Sequence, residues 1–268
     1  MVGSVSEGPV QSPDDQQAQR LSTAIEFDQA TRRFRGGRGI GPVTIGIKRG
    51  TICSLIGPNG SGKTTLLRCT GLFERLDSGK IWIHGHPWVA ASTNGTHDCD
   101  PARLRGTASI VFQNSEPWPH MRVIDNIKLP LLKGLGLPTA EADARTEAEL
   151  ERFGLSERAH SMPHQLSGGI RQRVILARAF ALKPSILLLD EVTSALDPDW
   201  TDRVRHMVRS FADAGGAVLL VSHQLNLVRR LSDWVVYLNN GNVVEAGQPR
   251  SLLDSPRDDG LRKFLANA

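Results

Sequence analysis

Long apolar runs are missing from this chain. The best continuous stretches, 186–189 and 217–221, fall far short of the roughly eighteen apolar residues that a membrane-crossing helix needs, so no bilayer span is expected. Cysteine is scarce as well. Cys53, Cys69 and Cys99 are odd in number and lack metal-type pair spacing, which argues against a disulfide framework and for a reducing compartment. A strong excess of one charge is also absent: 32 Lys and Arg against 28 Asp and Glu leave a net +4, spread along the chain, with Arg32-Arg33 and Arg229-Arg230 the nearest things to clusters. No nucleic-acid partner is implied, while a weak preference for an anionic membrane surface is compatible. The first two dozen residues lack the basic start and apolar core of a secretory signal. Residues 1–22 read instead as a disordered leader, and 23–268 as one domain.

What is present suffices for a packed core, since 40% of the 268 residues are hydrophobic. Short β-rich runs at 44–47 and 51–56 lead into a Gly-rich loop at 57–62 and a helix-like segment at 64–69. Further apolar runs at 108–112, 185–189, 217–222 and 234–238 alternate with helical patterns, which predicts a largely parallel α/β sheet. Between 114 and 165 the β signal disappears, and 140–153 carries no Gly or Pro and is rich in Glu, Ala and Leu. We place there an inserted helical subdomain, about 114–180. The polar stretch 91–101, with Asn94-Gly95 inside it, reads as an enlarged loop or hairpin tip.

Gly57, Pro58, Asn59, Gly60, Ser61, Gly62, Lys63 and Thr64 fit the phosphate-binding pattern G-x-x-x-x-G-K-[ST], after a strand and before a helix. Glycines let backbone N–H groups converge on phosphate oxygens, and the helix that follows points its positive end at them. Lys63 is expected to bridge the β- and γ-phosphates, Thr64 to hold Mg²⁺, and the neighbouring Thr65 to join the cradle. A chance match in a chain of this length is on the order of one in a hundred, before the strand and helix context is required. The run 185–189 ends in Asp190-Glu191. Asp190 suits Mg²⁺ through its outer shell, and Glu191 is placed to polarise an attacking water. Alone, such a pair is more often a helix start or a solvated turn; beside a P-loop the functional reading prevails.

Leu166-Ser167-Gly168-Gly169, followed by a helix from Arg171, resembles the signature motif of the ABC ATPases, and it lies before Asp190 at that family's spacing. A Ser hydroxyl and glycine N–H groups at a helix N-terminus make an anion site. Other marks fall in order: Gln113 matches the Q-loop, Ser194-Ala195-Leu196-Asp197 the D-loop, and His223 the switch histidine, while Phe34 lies where the family stacks an aromatic ring on adenine. The resemblance runs from about 25 to 265. Two residues depart from it, Ile170 where Gln is usual and Val192 where Pro is usual. Neither is a phosphate, metal or water ligand in the family scheme.

The resemblance implies a P-loop core with an N-terminal antiparallel β portion and an inserted helical subdomain. Glu191, His223 and Gln113 would serve catalysis, and Thr64, Gln113 and Asp190 would hold Mg²⁺. Two chains would clamp ATP head to tail, each nucleotide between one P-loop and the other chain's Ser167, Gly168 and Gly169. Closure would pull on transmembrane permease subunits docked near Gln113, placing the chain at the cytoplasmic face of the inner membrane; a periplasmic or extracellular solute-binding protein would act at one remove. Pro119-His120-Met121, Val123, Asn126, Thr193 to Pro198 and Lys263-Phe264-Leu265 are most similar to the branch importing polar amino acids, from which 114–118 departs. The alternatives are another small solute, or a soluble ATPase of the iron–sulfur assembly type. A small-molecule kinase or GTPase is disfavoured by the signature residues. His84, His86, His97, Asp98 and Cys99 cluster in sequence but match no zinc spacing, so Mg²⁺ is the one metal expected.

Overall fold

The computed structural model describes residues 22–90 and 106–267. The stretch read as a leader and the polar stretch after Ala90, with His97, Asp98 and Cys99, lie outside the described residues.

Two sheets form the frame. The first is antiparallel, in the order β2-β1-β4-β5, from β1 (Thr23–Arg33), β2 (Gly39–Lys48), β4 (Ser78–Ile83) and β5 (His86–Ala90). The second has the order β10-β9-β3-β8-β7-β6, from β3 (Ile52–Ile56), β6 (Ala108–Val111), β7 (Ile186–Asp190), β8 (Ala217–Val221), β9 (Trp234–Asn239) and β10 (Asn242–Gly247). All its pairings are parallel except β10 with β9. Its inner strands β3, β8 and β7 are buried along their whole length and largely apolar, because both faces are covered. Ile186 and Leu188 face the core shared with the antiparallel sheet, whereas Leu187 and Leu189 face the core shared with the helices, the period-two alternation of a strand.

Between β6 and β7 the described chain contains no strand. It runs through α2 (Val123–Leu129), a π-helical turn (Pro130–Gly134), α3 (Thr139–Arg152) and α4 (Gly168–Ala181). Asn126 ties the entry to this region: wholly buried, it accepts from the Trp118 N–H at 2.7 Å and donates to the carbonyls of Trp118, Met121 and Arg122 at 3.1–3.2 Å. The Arg178 guanidinium of α4 stacks over Trp118 at 4.7 Å, so the segment after β6 is fastened to the helix that starts at Ser167. The remaining helices are α1 (Lys63–Thr70), α5 (Pro198–Asp213), α6 (Leu225–Leu231), α7 (Pro249–Asp254) and α8 (Asp259–Ala266). Among the described residues no helix is long and apolar enough to cross a membrane.

The parallel strands β3, β8, β7 and β6 are neighbours, and each is followed within two residues by one singled out in the sequence: Gly57 after β3, His223 after β8, Glu191 after β7 and Gln113 after β6. Carboxyl ends of adjacent parallel strands are where an α/β sheet opens a crevice for ligand.

Candidate functional site

The loop from Gly57 to Gly62 is bent in ways only glycine tolerates. Gly57 has φ +146°, and a Cβ there would sit 2.1 Å from the Leu238 carbonyl oxygen; Gly62 has φ +104°, and its Cβ would strike Ile40 and the Gly39 carbonyl. Gly62 caps α1 without a side chain, and the helix has no acidic residue in its first turn, so its leading N–H groups are left open to an anion. Lys63, only 6% exposed, turns its ammonium back into the loop, donating to the carbonyls of Gly57 at 2.8 Å and Pro58 at 2.9 Å and to the Ser61 hydroxyl at 3.4 Å. Burial lowers its pKa, against the pull of Glu191 and Asp190. A buried ammonium surrounded by oxygens, with open N–H groups above it, fits a polyphosphate.

The Thr64 hydroxyl donates to Asp190 Oδ2 at 2.9 Å. Burial raises the Asp190 carboxyl above its ordinary value, and Glu191 beside it adds to the rise while the Thr64 hydrogen bond and Lys63 oppose it. A divalent cation at these two oxygens would relieve that penalty. The donor set fits Mg²⁺, which keeps most of its water and takes only one or two protein oxygens beside phosphates.

Glu191 is held from both sides. Gln113 Nε2 donates to its Oε2 at 2.9 Å, and His223 Nε2 lies 2.9 Å from its Oε1. The backbone at Glu191 is in the left-handed region, φ +51°, with its N–H on the Val221 carbonyl at 2.9 Å and its own carbonyl accepting the Ser194 hydroxyl at 3.0 Å. Holding a non-glycine residue there costs about 1 kcal/mol and fixes where the carboxylate points. Three strand ends thus meet at one carboxylate.

A cavity of about 340 Å³ collects these parts, lined by Phe34, Asn59, Gly60, Lys63, Thr64, Thr65, Gln113, Glu191 and His223. Phe34 is half-buried at its rim. One face of its ring is covered by the Arg32 guanidinium at 4.7 Å, itself paired with Asp77 at 2.9 Å and Glu74 at 3.2 Å. Arg38, which the sequence reading passed over, also lines the cavity. A hydrogen bond from the Phe34 N–H to the Arg38 carbonyl, 2.8 Å, brings the two ends of the β1–β2 turn together. A β-turn after Phe34 was the available signal: Gly36 and Gly37 both have positive φ.

Ser167, Gly168 and Gly169 do not line this cavity. Ser167 caps α4, its hydroxyl oxygen accepting from the Ile170 N–H at 3.4 Å, and both Ser167 and Gly168 are exposed. Ile170 is partly buried and packs against the helical core, and Val192 is buried in the same cluster, so both departing side chains fill apolar space. His84 bonds the Ser185 hydroxyl at 2.8 Å.

A family model described as ABC transporter matches residues 40–194. An arginine transport ATP-binding protein of Corynebacterium glutamicum is 37% identical over 84% of this chain and 90% of its own length. A glutamine transport ATP-binding protein of Geobacillus stearothermophilus is 33% identical over 90% of this chain and 98% of its own, and an L-cystine transport system ATP-binding protein of Escherichia coli is 34% identical over 91% and 97%. Among solved structures, a dimeric ATP-binding cassette in a post-hydrolysis state bound to ADP and Pi superposes with a TM-score of 0.74 at 29% identity, over 84% of this chain and 99% of that one. This chain belongs to the ABC transporter ATP-binding family, and its hydrolysis of ATP is coupled to transport.

Proposed function

We propose that the chain works as a head-to-tail homodimer at the cytoplasmic face of the membrane, powering uptake of a polar amino acid through permease subunits. The observation that carries the catalytic part is the double hold on Glu191 by Gln113 and His223. ATP would lie with adenine on the free face of Phe34 and its phosphates over the N-terminus of α1, reached by Lys63 and the N–H groups of the loop. Thr64, Asp190 and Gln113 would hold Mg²⁺, which when bound would supply neutralisation of phosphate charge. Glu191 takes a proton from the attacking water while that oxygen bonds to the γ-phosphorus; the bond to the leaving oxygen breaks, giving ADP and phosphate. His223 steadies Glu191 through that transfer. Exposed Ser167 and Gly168, remote from the chain's own cavity, would close over the partner's nucleotide.

A second cavity, about 370 Å³, lies between the β6 edge and α4, lined by Phe73, Ile110, Trp118, Leu135, Ile175 and Arg178. Phe73 is 60% exposed and packs edge-on against Phe112, the residue before Gln113. A permease segment seated there would touch the element that bears on Glu191, which supports coupling of transport to hydrolysis by this route. The names of the relatives support arginine, glutamine or cystine as solutes; an extracytoplasmic binding protein would deliver them. The test is Glu191→Gln: ATP binding should persist, phosphate release should fall by about a hundredfold or more, and cells carrying the variant should lose uptake of one of the three labelled amino acids. Undiminished phosphate release would remove Glu191 from the mechanism, and undiminished uptake of all three would assign the chain to another solute.

A further inference from the structure

Trp200 stands where three segments meet. It is in the first turn of α5, and its main-chain N–H donates to the Asp197 carboxylate that caps the helix, at 2.8 Å. Two guanidinium groups stand over its ring, Arg173 of α4 at 4.2 Å from the centroid and Arg203 at 4.8 Å. Arg203 comes from the next turn of α5 itself, so the contact that crosses between elements is Arg173. That guanidinium is anchored a second way, donating to the carbonyls of Phe153 at 3.2 Å and Gly154 at 3.4 Å just beyond α3. Gly154, with φ +59°, lies against the ring so closely that a Cβ there would stand 3.0 Å from it.

The two segments that Trp200 and Arg173 join are both exposed. Residues 194–197 precede α5, and Ser167 begins α4. They also touch directly, since a Cβ on Gly169 would lie 3.1 Å from the Ala195 carbonyl oxygen. Ser167, Gly168, Ser194 and Ala195 are therefore one exposed surface, resting on a ring that two guanidinium groups cover.

We infer that Trp200 is a positioning residue for the partner chain's nucleotide: with Arg173 it clasps the signature helix to the 194–197 loop, so that both reach the opposing site as one rigid piece. The inference rests on the proposed role of Ser167. A planar guanidinium on an aromatic face orients as well as attracts, which a purely apolar side chain or an ammonium does not reproduce. Shape filling alone would be satisfied by leucine.

The experiment compares Trp200→Leu and Trp200→Phe in the Glu191→Gln background, which holds the ATP-bound dimer, with Ser167→Arg as a control. Two quantities are read: ATP affinity of the monomer at protein concentrations too low to dimerise, and the ATP concentration giving half-maximal dimer by light scattering. Trp200→Leu should raise the second by about tenfold and leave the first within about twofold, while Trp200→Phe, which keeps a π-face, stays near the parent. Dimerisation of Trp200→Leu equal to the parent would overturn the inference, as would an equal loss of monomer affinity, which marks general damage to the fold. If Trp200→Leu does not fold, Arg173→Lys carries the test, because it keeps the charge and loses the stack; the same rise is expected, and none would overturn the clasp. Persistence of the dimer in Ser167→Arg would instead overturn the reading of the signature surface, and the inference with it.

Discussion

At Lys63 the ammonium has two carbonyls and a hydroxyl within 3.4 Å and is almost wholly buried, whereas the Ser167 hydroxyl oxygen faces solvent and accepts one long bond from its own helix. Both stand at helix N-termini, whose N–H groups attract anions, and Lys63 adds an ammonium to that attraction. They differ in what surrounds them. Lys63 sits in a cavity walled by four strand ends and the β1–β2 turn, which can hold nucleotide in a monomer. Ser167 has at most half of a site, and in the proposed dimer the other half would come from the partner chain.

That contrast can be broken most severely at Ser167. Ser167→Arg should abolish ATP-dependent dimerisation in the Glu191→Gln background, a shift of about a hundredfold or more, while ATP affinity of the monomer stays within about twofold, because a long cationic side chain fills the space meant for the partner's phosphate and leaves the Lys63 cavity untouched. Light scattering with a parallel nucleotide titration separates the two. The mirror experiment is Phe34→Ala, which should weaken monomer affinity by roughly 1–2 kcal/mol, a few-fold to about thirtyfold, with little change in turnover at saturating ATP. Unchanged affinity would mean that the ring serves Arg32 and the turn alone.

Ile170→Gln probes the difference more finely. Because the Ile170 side chain packs on the helical core and only its main-chain N–H meets the Ser167 cap, turnover should change by less than about tenfold. A larger gain would identify the cassette as weakened at this position and call for an unlike partner chain. The smallest effect concerns stability. Burial raises the Asp190 carboxyl above its unfolded value, so its charged form is a liability to the fold at neutral pH. Asp190→Asn should therefore melt higher than the parent at pH 7 while binding Mg²⁺-ATP more weakly. The sign fixes the pH window: the penalty is full above the folded pKa and vanishes below the unfolded one, so the two melting curves should converge as pH falls below about 4.

Much of the Lys63 side was legible in the chain because it is local. The run from Gly57 to Thr64 is contiguous, and its strand and helix flank it directly. Asp190 and Glu191 end an apolar run visible without any structure. The convergence of Gln113 and His223 on Glu191 was not legible by pattern, since it depends on β6, β7 and β8 being neighbours, a fact of sheet order. The same holds for Arg38, drawn to the cavity by a turn closing on Phe34, and for Trp200, whose cationic neighbour Arg173 comes from another helix. Strands β4 and β5 gave little signal either: Gly79 and Pro87 interrupt them, and β4 makes register shifts with both of its neighbours.

The left-handed backbone at Glu191 bears on how this chain would drift. Glycine or asparagine accepts that geometry more readily than glutamate, so replacing Glu191 by either should relax the peptide by about 1 kcal/mol while removing the proposed base. Folding and turnover therefore prefer different residues at one position. In a copy relieved of the need to hydrolyse ATP, this glutamate is the site where loss of function and gain of stability coincide, and its decay would leave a cassette that still folds, still binds nucleotide, and closes without reopening.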